Sequence, residues 1–433
     1  MVGPNVIRGG SILISHARNG RHRRTVAPRT GDEAVSYRTL FQIAHLRGLL
    51  LAALLARLAE RMFGLVLVLY VLDRFHSPQL AGWVGFSTLA PGLTISPLAG
   101  ALLDRAGPAC GIATDMTVSA CCILGLALLD LAGNDGATSV LGLAALYSLT
   151  NPLSAAGVRT LLPSVVPRAA RSKANAVDTT IHAVVDVCGP AIAGALVGFA
   201  GAVPALLTIA ALYAAGCATL LPSLRALPPA RRMWRNALLA EAAAGVAHVV
   251  RHPSLRPLAI GYAAYNMGWG ILLVAVPVFV LRATGGGAHG DLLVGGLWAA
   301  SGMAAAVGAL LVGHYAAPGR ERALMMAGMA ATAVSIWPIG ALFGLAGLAS
   351  GLVLVGMLAG PVDVSVLTLR QHRTDPAWLG RVMAVSMSLN LSGAPIGLAV
   401  GGALLGWSVQ AAFVAAASMC AVGALALRWV PRC

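Results

Sequence analysis

Twelve apolar runs, each of roughly 20 residues or more, succeed one another along this chain, near 48–72, 80–103, 109–132, 138–161, 177–200, 203–222, 258–281, 291–315, 323–345, 348–369, 382–406 and 409–428. A run of that length crosses the roughly 30 Å hydrocarbon core of a bilayer as an α-helix. The runs lack the strict alternation that barrel strands need, and the Gly and Pro within them are tolerated where neighbouring helices satisfy the backbone. The expected fold is an all-α membrane protein of about twelve transmembrane helices, with the lipid bilayer as its first partner. Composition agrees: 58% of the residues are hydrophobic and only 10% charged, against about 25% charged in soluble domains.

The charges that remain are sorted. Of 30 basic residues, 26 fall in the tail at 1–47, at the ends after even-numbered runs, or at the C-terminus; only Arg74 and Arg282 fall in the opposite loops, while Arg57 and Arg61 lie inside the first run. Positive residues mark cytoplasmic loops, so both termini are expected in the cytoplasm and the protein in the cell membrane. The same distribution argues against nucleic acid as the partner of the net charge of +15, because no basic face is formed. The seven cysteines show no zinc spacing, and neither a metal nor a cofactor is expected. Protease, hydrolase and phosphate-loop motifs are absent too, which leaves a membrane-embedded enzyme a distant alternative.

The expected organisation is a basic, disordered cytoplasmic tail at 1–44, a six-helix half at 45–222, a cytoplasmic linker at 223–256 and a second six-helix half at 257–433. In the linker Leu238, Leu239, Ala242, Val246 and Val249 recur at helical spacing, predicting an amphipathic helix on the membrane surface. The halves share a faint repeat at an offset of 208: GALL at 100–103 returns at 308–311, and AIAGALVG at 191–198 returns as AVGGALLG at 399–406. Internal repeats of this kind are common in transporters.

Ionisable residues inside apolar runs are expensive and tend to be turned to a partner or a solute path. The first run carries Arg57, Glu60 and Arg61, which either neutralise one another locally or couple transport to substrate or protons. The fifth places Asp178, His182 and Asp186 at successive i, i+4 positions, one face able to pass a proton inward or to bond neighbouring helices. Asp115 and Asp363 lie nearer helix ends and read as structural. Tyr262, Asn266 and Trp269 form a polar-aromatic stripe in the seventh run; with Asn151 beside Pro152 and Asn390 near Pro395, they are candidates for lining a cavity. Few charges there favour a small amphipathic organic solute.

At the end of the second run stand Gly100, Asp104, Arg105 and Gly107 in the order GxxxDRxG. This resembles the signature of the major facilitator superfamily. The stretch 171–176 (RSKANA), followed by Gly189, Pro190 and Gly194, is similar to that superfamily's multidrug and siderophore exporters. The resemblance implies alternating access, a cytoplasmic gate at Asp104 and Arg105, and a Gly-Pro fifth helix associated with antiport. The resulting expectation is a secondary transporter, not an enzyme, that exports a drug, siderophore or secondary metabolite in exchange for protons as a monomer. A proton-coupled importer is the alternative.

Overall fold

The computed structural model describes residues 37–43, 45–134, 136–167, 170–226, 246–315, 319–336, 343–374, 386 and 388–431. Among these every regular element is a helix. After a single turn at Tyr37–Leu40, the helices are α1 (Leu46–Phe75), α2 (broken into Pro78–Ser87 and Ala90–Ala106), α3 (Pro108–Leu131), α4 (Ala137–Val165), α5 (Arg171–Ala200), α6 (Ala202–Ala226), α7 (Leu255–Thr284), α8 (Gly287–Tyr315), α9 (Glu321–Ile336), α10 (Gly344–His372), α11 (Gly393–Leu405) and α12 (Val409–Ala426).

These twelve follow the twelve apolar runs, and at 30 residues α1 is about 45 Å long. Eight are long and apolar enough to cross a membrane by length and composition. The others are α1, with three charges near its middle; α2, broken at Thr88 and Leu89 just before Pro91; α9, described over 16 residues; and α4. Most of the linker helix foreseen around 238–242 lies outside the described residues, as does the basic tail up to 36. Helix is described again from 246, where buried Val249 packs with Leu255 and Ala259.

The packing is twofold repetitive. In the first half α1 lies against α5 and α6, α2 against α4, and α3 against α4 and α6; in the second, α7 lies against α11 and α12, α8 against α10, and α9 against α10 and α12. The halves meet mainly through α5 on α8 and α2 on α11, which exchange under the same repeat. Both contacts are made by glycine. A Cβ on Gly194 would stand 2.7 Å from Gly295 Cα, and one on Gly402 would stand 2.8 Å from Gly82 Cα. Gly194 and Gly402 belong to the 191–198 and 399–406 repeats, so that sequence similarity marks the two places where the backbones of the halves touch. Small residues allow this approach where the lipid supplies no hydrophobic drive between helices.

Candidate functional site

Two ion pairs join α1 to α5. Arg57 Nη1 meets Asp178 Oδ1 at 2.7 Å, and Arg61 Nε meets Asp186 Oδ1 at 2.7 Å. On α1 the arginines are four residues apart, a rise of about 6 Å, whereas the aspartates on α5 are eight apart, about 12 Å; the long guanidinium side chains span the difference. The pairs differ in surroundings. The side chains of Arg57 and Asp178 are 14% and 19% exposed, those of Arg61 and Asp186 52% and 46%. The first pair is thus enclosed between the helices and the second opens onto a space near the middle of the bundle.

The Gly-Pro sequence of α5 builds this arrangement. A Cβ on Gly189 would stand 2.7 Å from Arg61 Cβ, so glycine there lets α1 approach. Pro190 has no N–H, and the carbonyl four residues back, that of Asp186, therefore lacks its usual helical donor. That carbonyl faces α8, 3.2 Å from where a Cβ on Gly302 would stand. Gly194 makes the close crossing with Gly295 two turns further on. Helix crossing and central charge are set by one short segment.

Neither arginine pairs with Glu60, the local partner that the sequence offered. Both turn to α5, and among the described residues no cation lies within ion-pair distance of Glu60, which is exposed at the middle of α1. Glu60 is electrostatically close to Arg61, Asp115 and Tyr147. His182, exposed on α5, is within electrostatic reach of Arg57, Asp178, Asp186 and Arg61. Asp115 is 1% exposed and accepts from Ser119 Oγ at 3.5 Å. Nearby the Tyr147 and Tyr213 hydroxyls bond each other at 2.8 Å, and Asn151 is partly buried beside Tyr147.

The second half presents different chemistry. Tyr262 Oη donates to Asp363 Oδ1 at 2.5 Å, Asn266 Nδ2 donates to the Tyr262 carbonyl at 3.0 Å, and Trp269 is partly buried on the same side of α7. The rings form a row: Tyr262 to Tyr265 at 6.0 Å, Tyr265 to Trp269 at 6.4 Å, and Trp269 to Trp298 of α8 at 6.1 Å between centroids. Asp363 is exposed and electrostatically close to Asp186 of the other half. It is thus within electrostatic reach of the Arg61–Asp186 pair; its place along α10 had suggested a structural role, and its bond to Tyr262 is compatible with one. Tyr265 and Trp298 were not singled out from sequence; the spacing of Tyr262, Tyr265 and Trp269 was the available signal for the first. Asn390 is 4% exposed; with its amide turned to suit its neighbours it accepts from Arg370 Nη2 at 2.5 Å and donates to the Ser386 carbonyl at 3.1 Å.

At the far end of α2, Gly107 has φ +89°, a conformation that favours glycine, and its N–H reaches the Leu103 carbonyl at 2.8 Å before Pro108 opens α3. Gly100 lies within α2 and Arg105 is exposed; the side chain of Asp104 lies outside the described residues. Two pockets lie elsewhere, an apolar one near Leu272, Ser335 and Phe413 and an open one near Phe279, Arg282 and Trp407. With the side chains of Arg61 and Asp186 about half exposed, we read the central site as an accessible cleft.

Twelve helices in two repeated halves around a charged cleft narrow the family, and a family model decides it: residues 49–397 match the Major Facilitator Superfamily. The chain belongs to that superfamily. It is 48% identical over 400 residues to an uncharacterized MFS-type transporter, y4rN, of Sinorhizobium fredii (strain NBRC 101917 / NGR234), covering 92% of this chain and 98% of that relative. Among solved structures, the nucleoside transporter NupG superposes with a TM-score of 0.70 at 15% identity, covering 89% of this chain and 98% of that one. The peptide transporter POT in complex with sulfate gives 0.66 at 14% identity, with 89% and 93% covered. The human organic anion transporter MFSD10 (TETRAN) gives 0.60 at 17% identity, with 88% and 98% covered. At such identities the structures share the fold alone. As a member of the superfamily the chain is a multi-pass membrane transporter of small molecules, not an enzyme.

Proposed function

We propose that this transporter exports a small amphipathic organic solute in exchange for protons, working as a monomer in the cell membrane with both termini in the cytoplasm. The observation that carries the reading is the Arg61–Asp186 pair, half exposed in the middle of the bundle at the point where α5 also abuts α8. A proton arriving on Asp186 cancels its charge and releases Arg61. Because the Asp186 carbonyl faces α8 of the other half, a change at this residue acts where the halves meet. Glu60, exposed and without a cationic partner among the described residues, is the second proton carrier, and His182 lies between the two α1–α5 ion pairs.

The glycine crossings support a working cycle. Gly82 lies near the start of α2, Gly295 near the start of α8, and Gly194 and Gly402 in the second halves of α5 and α11. With antiparallel neighbours these positions share the end of the bundle remote from both termini. That end is drawn together, so in this reading the cleft opens toward the cytoplasm and awaits a solute. The Gly100 to Gly107 turn, with Asp104 and Arg105, would close the opposite end.

The test is purified protein in vesicles with an imposed pH gradient. Wild type should accumulate a fluorescent amphipathic dye against its gradient and lose that ability with an uncoupler. Asp186→Asn and Glu60→Gln should leave only downhill exchange. If both variants still concentrated the dye, the coupling role would be abandoned.

A further inference from the structure

The charges that face the cleft do not balance. Among the described residues three carboxylates, Glu60, Asp186 and Asp363, are exposed there against one guanidinium, that of Arg61, an excess of two negative groups. Arg57 is consumed by Asp178 in the enclosed pair. Arg370, the buried cation of α10, is 3% exposed and bonds Asn390, with no carboxylate in ion-pair distance among the described residues. Among the described residues, an anionic solute entering this space would meet surplus negative charge and no uncommitted cation. Unpaired carboxylates at this depth are also costly unless something compensates them.

Beside Asp363 stands the row Tyr262, Tyr265, Trp269 and Trp298. Aromatic faces carry negative quadrupole charge and attract cations as well as flat apolar groups. One buried donor in this row is also unused: the Trp298 indole N–H, in a residue 9% exposed, finds no hydrogen-bond partner among the described residues. Buried donors without acceptors are rare in folded proteins, and this one sits beside Trp269, which is only partly buried.

We infer that the solute is a planar organic cation: its positive charge lies by Asp363, and its ring system lies against Tyr262 and Trp269. Asp363 is placed for this by Tyr262, whose hydroxyl fixes one carboxylate oxygen and leaves the other for the solute. Glu60 on the facing wall supplies the second negative group. The inference deepens the transport reading, since it rests on this cleft being the solute's path, but it requires neither proton coupling nor a direction of transport.

Equilibrium binding without any gradient therefore separates the two. Purified wild-type protein in detergent is titrated with ethidium, a planar cation, and with fluorescein, a planar anion, following dye polarisation. Ethidium should bind saturably and fluorescein should not. Asp363→Asn keeps an acceptor for Tyr262 and should weaken ethidium about tenfold, as should Trp269→Ala, while Trp269→Phe should recover most of the loss. A melting curve for each variant confirms that it is folded. The inference is overturned if fluorescein binds as tightly as ethidium, if neither dye binds, or if folded Asp363→Asn binds ethidium like wild type. A failure of the vesicle experiment with this binding intact would instead remove proton coupling and leave the solute class standing.

Discussion

The two halves repeat one backbone plan and furnish it with opposite chemistry. Under the offset of 208, Arg57 and Arg61 of α1 correspond to Tyr265 and Trp269 of α7, while Asp178, His182 and Asp186 of α5 correspond to Ser386, Asn390 and Ala394 of the α11 region. The glycines do not diverge: Gly189 corresponds to Gly397 and Gly194 to Gly402. In the first half α1 and α5 are held by ion pairs beside Gly189. In the second, α7 and α11 are in direct backbone contact, with a Cβ on Gly270 only 2.2 Å from the Ala394 carbonyl. Helix crossings thus belong to the plan common to both halves, whereas the α1–α5 ion pairs have no counterpart among the described residues of α7 and α11, and the exposed carboxylate of the second half, Asp363, stands on α10. A protein that sets ion pairs on one side and a carboxylate among rings on the other has, in our reading, divided coupling from recognition.

The sharpest way to break this division is to neutralise its charged side. Asp186→Asn should abolish uphill transport while leaving equilibrium dye binding within about threefold, and Ala394→Asp in that background should restore nothing, because no arginine stands at Trp269. Rescue by Ala394→Asp would show the halves to be interchangeable.

The common plan is tested by crowding its crossings. Leucine at Gly194 or Gly402 places a side chain against backbone at under 3 Å, and overpacking of this kind costs about 1–3 kcal/mol. The expected outcome is separation of the two halves at that end. It should appear as a longer distance between spin labels on Gln79 and Trp407, both exposed, with loss of transport. An unchanged distance distribution would mean that the crossings are not what holds that end closed.

How much of this was legible in advance follows the range of the forces involved. Length and hydropathy act locally, so twelve helices and their order could be read, as could the shared face of Asp178, His182 and Asp186, which is a matter of helical period. Partnership is not local. Arg57 and Arg61 stood out as costly charges, but nothing within α1 says that they reach 2.7 Å contacts on α5 and pass over adjacent Glu60. Asp363 illustrates the same gap: its depth along α10 is a sequence property, whereas its contact with Tyr262 depends on where α7 lies. The break in α2 at Thr88 and Leu89 was hidden because the apolar run continues through it. Glycine spacing revealed a repeat, yet only packing shows that Gly194 and Gly402 are where the halves touch.

A smaller contrast lies within the charged half itself. Arg57 and Asp178 are shielded, so removing one partner strands the other: Arg57→Ala should cost about 3 kcal/mol of stability, and Arg57→Leu with Asp178→Leu should return most of it. Arg61→Ala opens a pair that is about half exposed and should cost less than about 1 kcal/mol, while eliminating uphill transport. Thermal melting and vesicle transport on the same preparations give the comparison. Equal melting losses would show that exposure does not separate a brace from a working pair.

The smallest effect concerns the entry to the second half, outside the membrane-spanning segments. His252 Nδ1 accepts from the backbone N–H groups of Ser254, at 3.2 Å, and Leu255, at 3.4 Å, as α7 begins. Only the neutral ring can accept there. Burial, and then the neighbouring His248 and Arg373, hold its pKa below the ordinary histidine value. The folded chain therefore binds this proton less readily than the unfolded chain does. The contribution is fully present above the unfolded value of about 6.5 and is lost as pH falls from there through the lower folded value. His252→Asn keeps an acceptor that does not titrate in this window and is a favoured residue at helix starts. Its melting temperature should fall less than that of wild type between about pH 7.5 and about pH 5.5, with the two proteins alike at the upper end. A wild-type decline that the substitution leaves untouched would assign the acid sensitivity of this region to other groups.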